Sequence, residues 1–112
     1  MNLHKILLSL GIFVLGIILV SVFWHQVIIL SLLLAALAFI KHTIFPLDRE
    51  LVWFVMIGVL GAGGESVIIF SGPWSYAQPQ LINIPIWLPF LWGLAGSIGV
   101  TLYSGITEPN EF

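Results

Sequence analysis

The stretch ILLSLGIFVLGIILVSVFWHQVIILSLLLAALAFI, residues 6–40, decides the fold of this chain. It is almost wholly apolar, and about 20 apolar residues are enough for a helix to cross the core of a bilayer. At a rise of about 1.5 Å per residue, a single helix over the whole stretch would be far too long. Its main polar interruption is His25-Gln26. We therefore predict two helices, at about 4–22 and 25–41, joined by a tight turn.

The composition of the whole chain points to lipid as its solvent. Of its 112 residues, 60% are hydrophobic and 7% are charged, whereas soluble domains carry about 25% charged residues. The net charge of −2 offers no basic surface for nucleic acid. The absence of cysteine excludes disulfides, thiolate metal sites and cysteine nucleophiles. The apolar start lacks the small-residue pattern of a cleaved export signal, so we expect it to remain as a membrane span.

The next segment, KHTIFPLDRE at residues 41–50, holds half of the charged residues of the protein. Pro46 ends any preceding helix, because proline has no N–H to donate. Asp48 is a suitable N-cap for a third helix, and Glu50 would lie in its first turn, where a negative charge suits the helix dipole. We predict this helix at about 49–70.

A second polar segment, SGPWSYAQPQLINIP at residues 71–85, separates the third helix from a fourth. Its backbone cannot lie exposed in hydrocarbon, so we expect residues 71–84 to form a loop at the membrane interface. Pro85 suits the first turn of a fourth helix at about 85–104. Pro89 follows four residues later and predicts a kink near the start of that helix.

Four spans place both termini on one side of the membrane, together with Lys5, Lys41 and Arg49. The opposite side has no Lys or Arg. By the positive-inside rule, the side with the three basic residues is cytoplasmic. The sequence therefore predicts an all-α, four-transmembrane-helix bundle: a single membrane domain over 1–112, multi-pass in the inner (cytoplasmic) membrane, with both termini cytoplasmic.

Glu65 is the residue with the most unusual predicted position. It lies about five residues before the outer end of the third helix, which is roughly 7–8 Å below the boundary. An ionisable group inside a membrane costs a few kcal/mol and is often functional. No basic residue lies on its side of the membrane. Two interpretations remain open: Glu65 extends to the interface without a function, or it is a buried, hydrogen-bonded carboxyl that can act as a catalytic acid or a proton-coupled group.

Small residues at helical spacing indicate that Glu65 faces protein rather than lipid. They form one stripe on the third helix and one on the fourth: Gly58, Gly61 and Ala62, and Gly93 and Gly96. Such stripes let membrane helices approach each other closely, so we assign these residues to helix packing.

Several polar and aromatic side chains could accompany Glu65 at the outer side. The candidate ligand-binding residues are Trp74, Tyr76, Trp92 and His25. His25 is either an acid–base partner of Glu65 or an ordinary interfacial histidine. With His4 and His42 predicted on the opposite side, the three histidines cannot converge on one metal ion, so no metal site and no cofactor is predicted.

The segment that begins at Glu65 reads ESVIIFSGPWSY and, after a short polar stretch, ends in IPIWLPFLW. Residues 65–92 resemble a stretch of the carotenoid-biosynthesis membrane protein family, which includes carotenoid hydratases. The positions that match by type are Glu65, Gly72, Tyr76, Pro85, Pro89 and Trp92. The chains of that family are longer, and Trp74 stands where a Tyr is expected. The resemblance implies a long apolar, isoprenoid-like ligand that enters from the bilayer next to Glu65.

Three functions remain open at this point. The first is binding or processing of a lipid or isoprenoid-like ligand at an outer-leaflet site around Glu65, either as an enzyme with Glu65 as the catalytic acid or by binding alone. The second is an accessory or assembly subunit of a larger membrane complex. The third is a dimeric, proton-coupled small transporter that uses Glu65. Because so small a bundle has little interior, we expect a homo-oligomer or a larger complex in each case, with the lipid bilayer as its surroundings.

Overall fold

The computed structural model describes residues 1–109, and within that range the chain forms four α-helices and no β-strand. The helices are α1 (Leu3–Phe23), α2 (Val27–Ile44), α3 (Glu50–Ile69) and α4 (Trp87–Thr107). Each is long and apolar enough to cross a membrane. The prediction of an all-helical chain with four candidate spans is therefore confirmed. Residues 110–112 of the predicted domain lie outside the described residues.

The two ends of the bundle differ in chemistry. The end that we call the terminal end carries the N-terminus, the 45–49 loop and the C-terminal end of α4. The N-terminus and the end of α4 are joined there by the Asn2 N–H, which donates to the Gly105 carbonyl oxygen at 2.7 Å. The opposite end, which we call the aromatic end, carries the turn at 24–26 and the loop at 70–86. The three Lys and Arg residues all belong to the terminal end.

The helix α2 ends later than predicted, at Ile44 rather than near residue 41. Lys41 therefore lies in the last turn of the helix and not in a loop. Its ammonium group donates to the Phe45 carbonyl oxygen at 3.2 Å. This bond satisfies a carbonyl beyond the helix end and helps to explain the extra turn.

The start of α3 corrects the prediction that Asp48 caps this helix. The N-cap is Arg49, with a φ of 55° and no side-chain cap bond. The left-handed backbone at Arg49 turns the chain sharply into the helix. The Glu50 carboxylate folds back and accepts the Leu47 N–H at 3.2 Å, so it stabilises the turn in place of Asp48.

The helix α4 begins at Trp87, two residues after the predicted start. Pro85 is buried ahead of the helix, in a loop whose end is fixed by the Ile86 N–H donating to the Gln80 side-chain oxygen at 3.0 Å. Pro89 is the third helical residue. A missing N–H breaks no intrahelical bond in the first turn, so Pro89 requires no kink there.

The helix α4 is the centre of the bundle. It packs against α1 and α2 on one side and against α3 on the other, and α3 makes no comparable contact with α1 or α2 in the described residues. The α3–α4 contact contains both predicted small-residue stripes: Gly58, Gly61, Ala62, Gly93 and Gly96. A Cβ atom on Gly58 would lie 2.6 Å from the Pro89 carbonyl oxygen, and one on Gly93 would lie 2.7 Å from that of Phe54. Only glycine permits this approach of the two backbones.

Large apolar side chains cover the outside of the bundle. Leu51, Leu60 and Val67 of α3 are each more than two-thirds exposed, while the core between α2 and α4 contains fully buried leucines such as Leu34 and Leu94. An apolar exterior around an apolar core is the distribution expected of a multi-pass membrane protein.

We predict that Gly58→Ala destabilises the bundle by about 1–3 kcal/mol, because the new methyl group must separate two backbones. Gly63→Ala is the matched control, since a Cβ at that position meets nothing within 4 Å. We expect it to be neutral or slightly stabilising. Thermal unfolding in detergent micelles, followed by circular dichroism, measures both. Equal melting temperatures for the two variants would contradict the assigned contact.

Candidate functional site

Glu65 joins three parts of the structure at the aromatic end. The Tyr76 hydroxyl, from the 70–86 loop, donates to Glu65 Oε1 at 2.5 Å. The Trp92 indole N–H, from α4, donates to Glu65 Oε2 at 2.5 Å. Each carboxylate oxygen thus has one neutral donor. Hydrogen bonds to a charged acceptor are stronger than neutral ones, so this pair of bonds fixes both aromatic side chains.

Gly61 makes the contact with Trp92 possible. It lies one turn before Glu65 on the same face of α3, and a Cβ atom there would overlap the Trp92 ring. The indole therefore lies flat against the α3 backbone with its N–H aimed at the carboxylate. The packing stripe and the candidate site are consequently parts of one arrangement.

Tyr76 remains a hydrogen-bond donor because of its surroundings. Burial, first, and then the bond to Glu65 raise the pKa of Tyr76 well above its usual value. An ionised phenolate next to the Glu65 carboxylate would be doubly unfavourable, since it would be desolvated and would face a like charge. The phenol therefore keeps its proton at any physiological pH.

A second tie holds the 70–86 loop on α3. The Ser66 hydroxyl donates to the Asn83 side-chain oxygen at 2.6 Å, and the Asn83 amide donates back to the Ser66 carbonyl oxygen at 2.9 Å. Our sequence reasoning did not identify Asn83. Its position in a polar loop next to a membrane carboxyl was the only available signal.

A cavity of about 270 Å³ lies beside Tyr76, between the end of α1 and the loop. Its walls are mainly aromatic and apolar, and include Trp24, Tyr76, Pro85 and Trp87. The Tyr76 and Trp87 rings are nearly perpendicular, at 87°, with centroids 6.0 Å apart. The site therefore consists of a carboxylate, the phenol that it orients and an aromatic cavity on the other side of that phenol.

Two predicted ligand-binding residues, His25 and Trp74, do not line the cavity. His25 is exposed, and its ring stacks on Trp24 with centroids 3.9 Å apart. The interpretation of His25 as an acid–base partner of Glu65 finds no contact in the described part of the chain, where the carboxylate accepts from Tyr76 and Trp92. Trp74 is also exposed, but its side chain lies within hydrogen-bonding reach of Tyr76.

The terminal end contains a buried ionic cluster that sequence reasoning missed. Lys41 is fully buried, with its ammonium nitrogen 2.6 Å from Glu50 Oε2. The ammonium also donates to Thr101 Oγ1 at 2.9 Å and to the Phe45 carbonyl. All three of its donors are therefore used, and the cluster links α2, α3 and α4.

His42 completes this cluster on its exposed side. Its Nδ1 lies 2.7 Å from Glu50 Oε1, and about half of its side chain is exposed. The sequence placed Lys41 at the end of the second predicted helix and Glu50 in the first turn of the third. Nothing in their spacing indicated that the two side chains form a pair. Because every charge in this cluster is compensated, we assign it to structure rather than to ligand binding.

Comparison of the chain with protein-family models, with curated proteins and with solved structures gave no match. The carotenoid-family resemblance of residues 65–92 stays a prediction, and the function has to be argued from the geometry of the site.

We predict that Lys41→Met destabilises the protein by about 3–5 kcal/mol, because it leaves Glu50 buried without its main counter-charge. The double variant with Glu50→Gln should recover much of this loss, since the buried charge is then also removed. Lys5→Met is the control: Lys5 pairs with Glu108, which is about one-third exposed, so the loss should be smaller. Chemical unfolding in micelles, followed by tryptophan fluorescence, gives the three values. A double variant less stable than Lys41→Met would contradict this assignment.

Proposed function

We propose that this protein binds a lipid-like ligand in the cavity beside Tyr76, at the outer leaflet of the membrane. The observation that carries the proposal is the contact of one phenol with both a partly buried carboxylate and an aromatic cavity. Ligand sites are mostly apolar, with a few well-placed polar groups, and this cavity has that composition. The resemblance to a family that acts on isoprenoids supports the same class of ligand.

In this proposal Glu65 acts through Tyr76 rather than by touching the ligand. Both of its oxygens already accept hydrogen bonds, and it does not line the cavity. If the protein processes its ligand, a proton would have to pass between Glu65 and the ligand through the Tyr76 hydroxyl. The predicted catalytic role of Glu65 is therefore narrowed to holding and polarising Tyr76.

The proposed orientation places both termini in the cytoplasm and the protein in the inner membrane. It is supported by the position of Lys5, Lys41 and Arg49 at the terminal end, with no Lys or Arg at the aromatic end. The cavity would then open to the outer leaflet.

A second candidate function is that of a subunit in a homo-oligomer or a larger membrane complex. Because α3 packs on a single helix, most of its surface is open. Gly63 and Gly64 lie in open space on that surface, where a further helix could approach closely. A proton-coupled transporter is supported less, because Glu65 lies near one end of its helix rather than at the membrane midplane.

We predict that Trp24→Ala weakens ligand binding by about tenfold to a hundredfold, because burial of a large apolar side chain is worth about 1.5–3 kcal/mol. The probe is a fluorescent polyene alcohol, titrated into nanodiscs that hold the purified protein, with energy transfer from tryptophan as the signal. Trp53→Ala is the control, since Trp53 lies near the terminal end in α3. Equal affinity in the two variants, or no saturable binding to the unaltered protein, would overturn the proposed function.

We predict that a membrane-impermeant maleimide added outside intact cells labels Ser71→Cys and does not label Asp48→Cys. Both positions are exposed, at opposite ends of the bundle, and the natural chain has no cysteine that could react. Permeabilised cells should label both variants. The reverse pattern in intact cells would show that the aromatic end faces the cytoplasm.

A further inference from the structure

We propose that the headgroup recognised by the cavity is a quaternary ammonium of the choline type, carried by a membrane amphiphile. This inference rests on the proposed function and names the chemistry of the ligand. It follows from three features of the aromatic end: the arrangement of the rings, the distribution of charged residues and the mainly apolar lining of the cavity.

The rings provide faces for a cation. Tyr76 and Trp87 meet at 87° with centroids 6.0 Å apart and so form a corner, and Trp24 of α1 lines the same cavity. A cation is attracted to an aromatic face when it lies within about 6 Å of the ring centroid, and aromatic cages of this kind recognise methylated ammonium groups. The cavity volume of about 270 Å³ leaves room for a trimethylammonium group together with the first part of its attached chain.

The aromatic end has an acidic residue and no Lys or Arg that could neutralise it. Glu65 is the only acidic residue between Glu50 and Glu108, and its two bonds come from neutral donors. All Lys and Arg residues lie at the terminal end. Glu65 accepts the Tyr76 hydroxyl but does not line the cavity, so the acidic group is separated from a bound cation by one hydrogen-bonded side chain. An uncompensated charge in a membrane protein favours a ligand of opposite sign.

The lining of the cavity is mainly apolar, and its polar side chains are those of Ser21, Ser75, Tyr76 and Gln78. A primary ammonium has three N–H donors, and each of them needs an acceptor. A quaternary ammonium has none, so it needs no acceptor when it enters the cavity, and aromatic faces recognise it without hydrogen bonds. The methylated cation therefore suits a mainly apolar, aromatic lining.

His25 is the other titratable group that bears on the cavity, because it stacks on Trp24. A protonated His25 would place a like charge against a bound cation. The test should therefore be run at pH 8, above the range in which histidine side chains ordinarily gain a proton.

The experiment compares two water-soluble molecules of the same shape, choline and 3,3-dimethyl-1-butanol, in which a carbon replaces the nitrogen. Each competes with the polyene alcohol for the protein in phosphatidylglycerol nanodiscs, which contain no amine lipid. Empty nanodiscs correct for attraction of choline to the membrane surface. We expect choline to displace the probe at a concentration at least tenfold lower than its isostere.

Two variants connect this preference to the assigned residues. Trp24→Leu keeps an apolar wall but loses the aromatic face. Glu65→Gln removes the carboxylate; its amide oxygen can accept the Tyr76 hydroxyl, whereas its NH2 group cannot accept the Trp92 indole N–H. Each should reduce the tenfold preference to less than about threefold, while the unfolding temperature confirms that the variant is folded. If both variants prefer choline over its isostere as strongly as the unaltered protein does, the assignment of these residues is overturned.

The remaining outcomes separate this inference from the proposed function. Equal displacement by choline and its isostere would overturn the cation preference and leave lipid binding intact. Failure of the polyene alcohol itself to bind would overturn both. A choline phospholipid added to the nanodiscs should also displace the probe. If free choline displaces the probe and the choline phospholipid does not, a membrane amphiphile is excluded as the source of the headgroup.

Discussion

The close approach of α3 and α4, across Gly58 and Gly93, is the contact on which the rest of the structure depends. The helix α3 packs closely on no other helix in the described part of the chain. Lipid tails are as apolar as leucine, so two membrane helices associate through close van der Waals packing and polar bonds rather than through the hydrophobic effect. The glycines permit that packing, and it brings Glu65 to Trp92 and Glu50 to Lys41.

The two polar clusters that follow from this contact solve the same problem in different ways. At the terminal end, the Glu50 carboxylate is neutralised by Lys41, so the charge is compensated within the protein. At the aromatic end, Glu65 accepts one O–H and one N–H and has no basic partner in the described part of the chain. We assign the first arrangement to the stability of the fold and propose that the second serves a ligand.

Prediction from sequence succeeded where the signal was local. Long apolar runs indicated four helices, whereas the errors at the helix ends arose where individual side-chain hydrogen bonds decide the end of a helix. Asp48 was a reasonable cap by residue type, but the Glu50 side chain took over that loop. In the same way, Pro85 suited a helix start by type, but the loop bonds of Gln80 and Ile86 delay the helix by two residues. For the site, Glu65, Tyr76 and Trp92 were candidates on the grounds of depth and chemistry. His25 and Trp74 were candidates on the same grounds, but neither bonds to Glu65 or lines the cavity.

The sequence by itself determined the helical class, the number of candidate spans and the separation of the basic residues from Glu65, because these follow from counts of apolar and charged residues along the chain. Only the tertiary structure decided which donors meet the carboxylate, that Lys41 is buried and that an aromatic cavity forms beside Tyr76. The reason is that α1 and α3 are apolar on all sides, so no polar face marks how each helix is rotated. That rotation is set by glycine contacts and by hydrogen bonds between residues far apart in the chain.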